Sequence, residues 1–319
     1  MCTGRIPRYV LAVRDPEHVG GKFPYSPFHH HHSLQQADLT PWKAHRNHGR
    51  NGDPVDNEDA VDVRDVGTPD DWVRRDGRMV RLTGRHPFNA EPPLAVLSST
   101  EMTDTVPFLT LENLHIIRSH AAVPKLSWDT HRLVIQGPMM KQKDDTVALS
   151  MDQLVQDFAH TEFPVTVSCC GNRRKEINMI KQTIGFNWGA AAVGNCVYQG
   201  VLVRDLLIAT AHVPADDPSS WAGWHVEFLS HDAVYPNKAG GPGPFPDHPW
   251  GESGPYGTSI PLEKAMSLAD EVMVAYACNG QRLRPDRGFP CRLIIPGYIG
   301  GRMVKWLGTI RVIPHESRK

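Results

Sequence analysis

The chain has 319 residues, of which 40% are hydrophobic and 22% are charged, so it is long enough to bury a large core and does not have the composition of a disordered protein. Its net charge of -1 at pH 7 gives no general attraction to nucleic acid or to an anionic membrane. We therefore expect neither as a partner.

The cysteines do not form a disulfide framework. Six cysteines are too few for one in a chain of this length, and their spacing matches no metal finger. The N-terminus lacks the apolar run of a signal peptide, and no stretch approaches the length of a transmembrane helix. These features favour a cytoplasmic location.

The first 65 residues are polar and lack a sustained hydrophobic period. They are rich in His, Pro, Asn and Asp, and they include the tract His29 to His32, which we interpret as low-complexity sequence. We expect residues 1–65 to be a poorly ordered tail and residues 66–319 to form the functional domain.

Short helices and strands follow in chain order. Thr68 and Asp70 are suited to cap a short helix through Trp72, and a second short helix is expected at "TLENL". The segment "HRLVIQ" predicts a strand. "SMDQLVQDFAH" predicts an amphipathic helix with Ser150 as its N-cap, and "FPVTVSCC" predicts a buried strand.

The second half of the chain continues this mixture. A turn and a helix are expected in "VYQGVLVRDLLIATAH", a strand at "WHVEFLSHD", and a helix in "SIPLEKAMSLAD" with Ser259 near its cap. "EVMVAYACNGQRL" predicts a hairpin with an Asn-Gly turn, and "KWLGTIRVI" a closing strand. Because helices and strands lack a βαβ rhythm, the predicted fold class is α+β with mixed sheets and short helices.

The sequence "CCGNRR" at 169–174 places two cysteines at a strand end before two arginines. Side chains alternate along a strand, so we expect one sulfur to face a pocket and the other to face away. A thiolate beside fixed positive charge would suit a soft metal. A nucleophilic cysteine or an inert buried cysteine is equally compatible with these residues.

Several cations stand beside strand ends or Gly-rich turns. Each by itself would be ordinary surface charge, but together they indicate a pocket for a polyanion. They are Arg118, Arg173, Arg174, Lys175, Arg292, Arg302 and Lys305.

Four blocks of the sequence resemble the sulfite oxidase family of molybdenum enzymes. They are "SCCGNRRKEINMIKQTIGFNWGAAAVG", "IIRSHAAVP", "PYGTSIPLEKAM" and "AYACNGQRLRPDRGFPCRLIIPGYIGGRMVKWLG". Within that family, "GTPDDWVRRDGRMVRLTGRHPFNAEPPL", "NRRKEINMIKQTIGFNWG" and "GGRMVKWL" are most similar to the molybdenum domain of eukaryotic assimilatory nitrate reductases. The resemblance implies an α+β molybdopterin-binding fold and a molybdenum cofactor.

The resemblance also implies roles for individual residues. Cys169 would be the molybdenum ligand, with Cys170 in place of the usual Ala. Arg118 and Arg174 would bind the substrate anion, and Trp188 would line its pocket. The residues implied at the cofactor are Arg118, His120, Cys169, Asp232, Arg287, Arg292, Met303, Val304 and Lys305. Two positions depart from the family pattern: Arg287 replaces His, and Ser119, next to His120, replaces Asn in the "RSH" segment.

The activity implied is reduction of nitrate to nitrite by oxygen-atom transfer. Electrons would come from a heme domain and an FAD domain, which these 319 residues lack, so NAD(P)H-linked activity would need them. A homodimer is expected only with a further C-terminal domain. The alternatives are a sulfite-oxidising relative and a catalytically incomplete cofactor-binding fragment.

Overall fold

The computed structural model describes residues 59–84, 86–97, 108–137, 146–231 and 255–317, all within one compact unit, Ala44–Lys319. The predicted tail therefore lies mostly outside the described residues. Its last part, 59–65, is described and packed: Asp65 is completely buried in the 3-10 helix Val63–Asp65. Packed structure thus begins before residue 66.

The strands and helices are short. The strands are β1 Val80–Arg81, β2 Ala90–Glu91, β3 Arg132–Gln136, β4 Val147–Ser150, β5 His160–Ser168, β6 Val193–Leu202, β7 His225–Ser230, β8 Gly257–Pro261, β9 Met273–Cys278, β10 Gln281–Arg282, β11 Arg292–Ile294 and β12 Leu307–Ile313. The α-helices are α1 Leu94–Leu97, α2 Met151–Gln156, α3 Arg174–Asn178, α4 Val203–Ala211 and α5 Leu262–Met266. Further 3-10 helices are Glu112–Leu114, Pro218–Trp221, Pro285–Arg287 and Gly300–Arg302.

Two five-stranded sheets organise the described residues. One has the order β10-β9-β6-β5, with β11 also paired to β9, and the other has the order β4-β3-β12-β7-β8. The pairs are antiparallel except β12 with β3, which is parallel. The separate pair β1-β2 is also antiparallel. These mixed sheets with short helices confirm the predicted α+β class.

The core lies between the sheets and the helices that cover them. Helix α4 buries Val203, Leu206, Leu207, Thr210 and Ala211, which recur every three or four residues and so share one face. Strands β6 and β9 approach closely, since a Cβ added at Gly200 would lie 2.1 Å from the Val274 carbonyl oxygen. A side chain at this position would separate the two strands.

Most predicted elements are confirmed. Ser150 caps α2 in a capping box with Gln153, because each side chain bonds the other residue's backbone N–H. The Asn-Gly turn joins β9 to β10. Three predictions are wrong: residues 66–72 form turns instead of a helix, the turn expected after Val197 lies inside β6, and Ser259 lies inside β8. Within the described residues, no helix is both long and apolar enough to cross a membrane.

Candidate functional site

Residues 169–173, which we call the cysteine turn, follow directly after β5. This turn is hydrogen-bonded to a second segment, residues 188–192. The Cys169 N–H donates to the Ala192 carbonyl at 3.0 Å, and the Ala192 N–H donates to Asn172 Oδ1 at 3.1 Å. The Asn172 N–H closes the turn onto the Cys169 carbonyl at 3.0 Å. The backbone that carries the cysteines is therefore fixed from two sides.

The two cysteines differ in exposure: Cys169 is partly buried against the cluster of Trp188, and Cys170 is exposed. Strand β5 ends at Ser168, and alternation of side chains no longer holds in the turn beyond it. A hydrogen bond with Cys169 lowers the pKa of Cys170 to about 6, helped by Arg174 and Arg118. The same bond, together with burial, raises the pKa of Cys169. Cys170 is therefore the more acidic thiol of the two.

The Arg174 side chain lies beside this turn and is held there by a hydrogen bond from its guanidinium. It is the first residue of α3, and its Nη1 donates to the Ile184 carbonyl. A Cβ added at Gly171 or at Gly185 would lie 2.9 Å from a guanidinium nitrogen, so both positions must lack a side chain. The Arg174 Nε is buried and has no hydrogen-bond partner among the described residues. A donor of this kind is available to an anion.

Trp188 lies beneath the cysteine turn and is 2% exposed. It packs with Ile116 and Ala192, and its ring meets Phe186 edge-on with 6.4 Å between the centroids. A Cβ at Gly171 would lie 2.7 Å from Trp188 Cδ1. Trp188 thus supports the turn from below and contributes little exposed surface.

Arg118 approaches the cysteine turn from a different part of the chain. Its Nη1 donates to Asn89 Oδ1 at 3.0 Å and to the Ser119 carbonyl at 2.6 Å. The guanidinium carbon lies 4.9 Å from the centroid of the Phe186 ring. These contacts orient the planar group, and its charge reaches both cysteine sulfurs.

His120 lies two residues beyond Arg118. The residue is exposed, but its ring stacks on Tyr256 with 5.3 Å between the centroids and 21° between the planes. Desolvation of the ring, followed by the charges of Arg118 and Lys305, lowers the pKa of His120. The ring is therefore neutral near pH 7 and can accept as well as donate a hydrogen bond.

Lys305 connects the segment of Arg118 and His120 with a second group of cations, Arg287 and Arg292. Its Nζ donates to Ser119 Oγ at 2.9 Å and to the Asp286 carbonyl at 3.0 Å. Burial holds the pKa of Lys305 well below its ordinary value, and nearby Arg292 and Arg287 act in the same direction. Cations crowded in this way favour a bound anion.

Arg287 and Arg292 are buried, with 4% and 5% of their surface exposed. Arg287 donates to the Ile116 carbonyl, and Arg292 donates to the carbonyls of Arg287 and Met303. The Nε of each arginine is buried and lacks a hydrogen-bond partner in the described part of the chain. An unsatisfied buried cation costs free energy until a ligand compensates for it.

The other predicted cofactor residues differ in what they expose. Met303 and Val304 are 2% and 0% exposed, and their side chains belong to the core. Each offers backbone groups, since the Val304 carbonyl accepts from Leu293 N–H at 2.8 Å. Asp232 lies outside the described residues.

Sequence reasoning missed the residues that orient the site. Asn89 is completely buried and holds Arg118, while Glu91 is 7% exposed and binds the segment that carries Trp188. Their signal was a pair of polar residues two apart within the otherwise apolar segment "PFNAEPPL". Asp286 was missed as well, although its carboxylate is buried among arginines.

The arrangement fits an anionic cofactor with a metal at one end. A pair of cysteines stands at one end of the site, and Arg174, Arg287 and Arg292 each carry a buried Nε that has no hydrogen-bond partner among the described residues. No group of three or more His, Cys, Asp or Glu in the described ranges could hold a metal ion. A pterin with a phosphate tail has the negative charge and the acceptor oxygens that these donors lack.

Comparison with known proteins agrees with this fit. The family model described as "Oxidoreductase molybdopterin binding domain" matches residues 120–319, more than half of the chain. The chain belongs to the molybdopterin-binding oxidoreductase family. Molybdopterin is the cofactor of this family, as the sequence predicted.

Its relatives within the family include nitrate reductases. The chain is 44% identical over 256 residues to "Nitrate reductase [NADH]" of Solanum lycopersicum, covering 80% of this chain and 25% of that protein. It is 42% identical over 259 residues to "Nitrate reductase [NADH]" of Volvox carteri, covering 81% and 27%. This molybdopterin-binding chain therefore spans about a quarter of the length of these relatives.

A solved structure supports the fold of the family member. The chain matches the crystal structure of the sulfane dehydrogenase SoxCD from Paracoccus pantotrophus with a TM-score of 0.52 and 22% identity. The match covers 73% of this chain and 48% of that one. The predicted molybdopterin-binding fold is confirmed by this likeness.

Proposed function

We propose that this chain is the molybdenum domain of a nitrate reductase and that it reduces nitrate to nitrite. The observation that carries the proposal is the pair of arginines, Arg118 and Arg174, that flank the cysteine turn. Its identity of 42% to 44% with nitrate reductases over four fifths of the chain supports the same activity. The cofactor, when bound, supplies oxygen-atom transfer and two electrons.

The protein's own contribution is to bind and orient the anion. Nitrate is a small planar anion, and two guanidinium groups offer it planar pairs of donors. Arg118 is fixed by Asn89, and Arg174 by the Ile184 carbonyl, so neither must reorganise when charge redistributes over the substrate oxygens. Trp188 closes the base of the site against water.

The cofactor roles follow from the same donors. We assign Cys169 as the molybdenum ligand because it is the sulfur that packs on the Trp188 cluster, while Cys170 is exposed. His120, Arg287, Arg292 and Lys305 would hold the pterin and its phosphate. Met303 and Val304 would contribute backbone groups, and Asp232 is kept in this set on sequence grounds alone.

The source of the electrons is part of this proposal. We expect a heme domain to deliver them in the full-length protein, after an FAD domain has taken them from a nicotinamide cofactor. We also expect a homodimer that forms through a further C-terminal domain. Residues 66–319 are the proposed extent of the molybdenum domain, with a cytoplasmic location. None of these partners is required for the test that follows.

The proposal is tested by supplying electrons chemically. The protein should be produced in a host that makes the eukaryotic form of the cofactor, and then assayed for nitrite with reduced methyl viologen and for sulfite oxidation with ferricyanide. Formation of nitrite above a cofactor-free control is the expected result. Sulfite oxidation without nitrite would support the sulfite-oxidase alternative. If molybdenum is bound and both assays are negative, the catalytically incomplete alternative is correct.

A further inference from the structure

Glu91 is a buried carboxylate that no catalytic role explains. It is 7% exposed and ends the short strand β2. Its Oε1 accepts a hydrogen bond from the Gly189 N–H at 2.7 Å, across 98 residues of sequence. Its Oε2 is buried and has no partner among the described residues. A buried acid is costly, so one that is retained needs a reason.

The segment that Glu91 holds is bonded on its other side to the start of α3. The Gly189 carbonyl accepts from the Arg173 N–H at 2.8 Å, and the Trp188 carbonyl accepts from the Lys175 N–H at 3.0 Å. Arg174, which lies between these two donors, begins the helix. A shift of the 188–189 backbone would therefore move Arg174 with it.

Asn89 holds the second arginine of the proposed site, Arg118, by a direct hydrogen bond. It lies two residues before Glu91, on the same side of an extended segment. Its Oδ1 accepts from Arg118 Nη1 and, at 2.9 Å, from the Ser119 N–H. Ala90, between them, exchanges two backbone hydrogen bonds with Ile117, at 2.9 and 3.0 Å. The register of this segment against the segment that carries Arg118 is thus fixed.

We propose that Glu91 is a positioning residue for the oxyanion site. It sets the Trp188–Gly189 turn, and through that turn it sets the distance of Arg174 from Arg118, which Asn89 holds on the same short segment. The kinetic consequence rests on the proposed nitrate reductase activity. The structural consequence, loss of order in the turn, does not depend on it.

Three variants distinguish a positioning role from a simple contribution to stability. Glu91→Gln keeps an oxygen that can accept from Gly189, whereas Glu91→Ala removes it. Gly189→Ala leaves the carboxylate in place, but its Cβ would lie 2.7 Å from Glu91 Oε1 and displace it. Glu162→Ala, at an exposed site on β5, is the matched control.

The first measurement is amide hydrogen exchange of a peptide that covers residues 186–192, together with the molybdenum content. Glu91→Ala and Gly189→Ala should lose protection in this peptide, while Glu91→Gln and Glu162→Ala should keep it, and molybdenum should stay bound in all four. Unchanged exchange in Glu91→Ala would overturn the proposal. If Glu91→Ala does not fold, the same comparison is made between Gly189→Ala and wild type.

The second measurement is steady-state kinetics on nitrate with reduced viologen. Glu91→Ala should raise KM for nitrate roughly ten- to a hundredfold through misplacement of Arg174, with rescue in Glu91→Gln. An equal loss of kcat and molybdenum with unchanged KM would indicate a purely structural role and overturn the proposal. If wild type makes no nitrite, the proposed function fails, and the exchange result alone decides the role of Glu91.

Discussion

Arg75 Nε donates to Asp286 Oδ2 at 3.1 Å, joining residues that are 211 positions apart in the sequence. The same guanidinium also bonds Asp65 and Asp70, and all four side chains are at most 3% exposed. Asp286 in turn uses its carbonyl to accept from Lys305. Hydrogen bonds therefore connect the first described segment of the chain to Asp286 and, through it, to Lys305.

We predict that Arg75→Met lowers the free energy of unfolding by about 3 to 5 kcal/mol, because three buried carboxylates lose their common cation. Chemical denaturation followed by fluorescence measures it. Arg74→Ala, next in sequence but exposed and with one backbone acceptor, should change stability by less than about 1 kcal/mol. Equal effects in the two variants would show that the buried network contributes nothing specific.

The cysteine pair gives a prediction about cofactor loading. Cys169→Ser should abolish molybdenum binding and activity, because the serine oxygen is a poor ligand for a soft metal. Cys170→Ala should retain both, since the Cys170 side chain is exposed whereas Cys169 is partly buried. Metal analysis of both purified variants checks the ranking. The reverse order would assign the ligand to Cys170.

Arg174→Gln should weaken nitrate turnover while molybdenum content stays near that of wild type, because this guanidinium is proposed to bind the substrate anion and its buried Nε has no hydrogen-bond partner in the described residues. Arg173→Gln is the matched control: its side chain is exposed and pairs with Glu176 on the surface. It should leave turnover unchanged. Loss of molybdenum in Arg174→Gln would place this arginine at the pterin instead.

Acid should destabilise the fold partly through His115. Burial, followed by the charge of Arg287, lowers the pKa of His115 to about 3, below the unfolded value of about 6.5. Between these values the unfolded state binds the proton and the folded state does not, so stability falls as the pH falls from 6.5 towards 3. The contribution approaches about 1.4 kcal/mol per pH unit.

His115→Gln should therefore flatten the pH dependence of unfolding over this window, and denaturation curves at several pH values measure the slope. His160→Gln, at an exposed position, should leave the slope unchanged. The buried His131, whose pKa burial lowers to about 4, acts in the same direction, so the slope in His115→Gln is reduced and does not vanish. An unchanged slope in His115→Gln would contradict this account.

Local patterns predicted much of the fold. Ser150 and Gln153 signal a helix start within four residues, and the Asn-Gly turn signals a hairpin, because both depend on neighbours in sequence. The helix expected near Thr68 was wrong for the opposite reason. The Asp70 carboxylate bonds Arg75 and the Val123 N–H, and these tertiary partners hold the segment in turns.

Sequence motifs predicted the residues of the candidate site, but they did not predict the residues that hold those side chains in place. Arg118, Cys169 and Arg174 stand in segments that resemble a family, so their proximity could be expected. Glu91 and Asn89 act on backbone groups far away in sequence, and no local pattern marks which carbonyl or N–H they meet.

The measurement that tests the central claim most directly is the molybdenum and pterin content of the purified chain, made in a host with the eukaryotic cofactor. The account predicts about one molybdenum and one pterin per chain, retained through gel filtration. Folded protein that carries neither, from a host that loads other molybdopterin enzymes, would contradict it, because the buried cations and the cysteine turn would then serve another ligand.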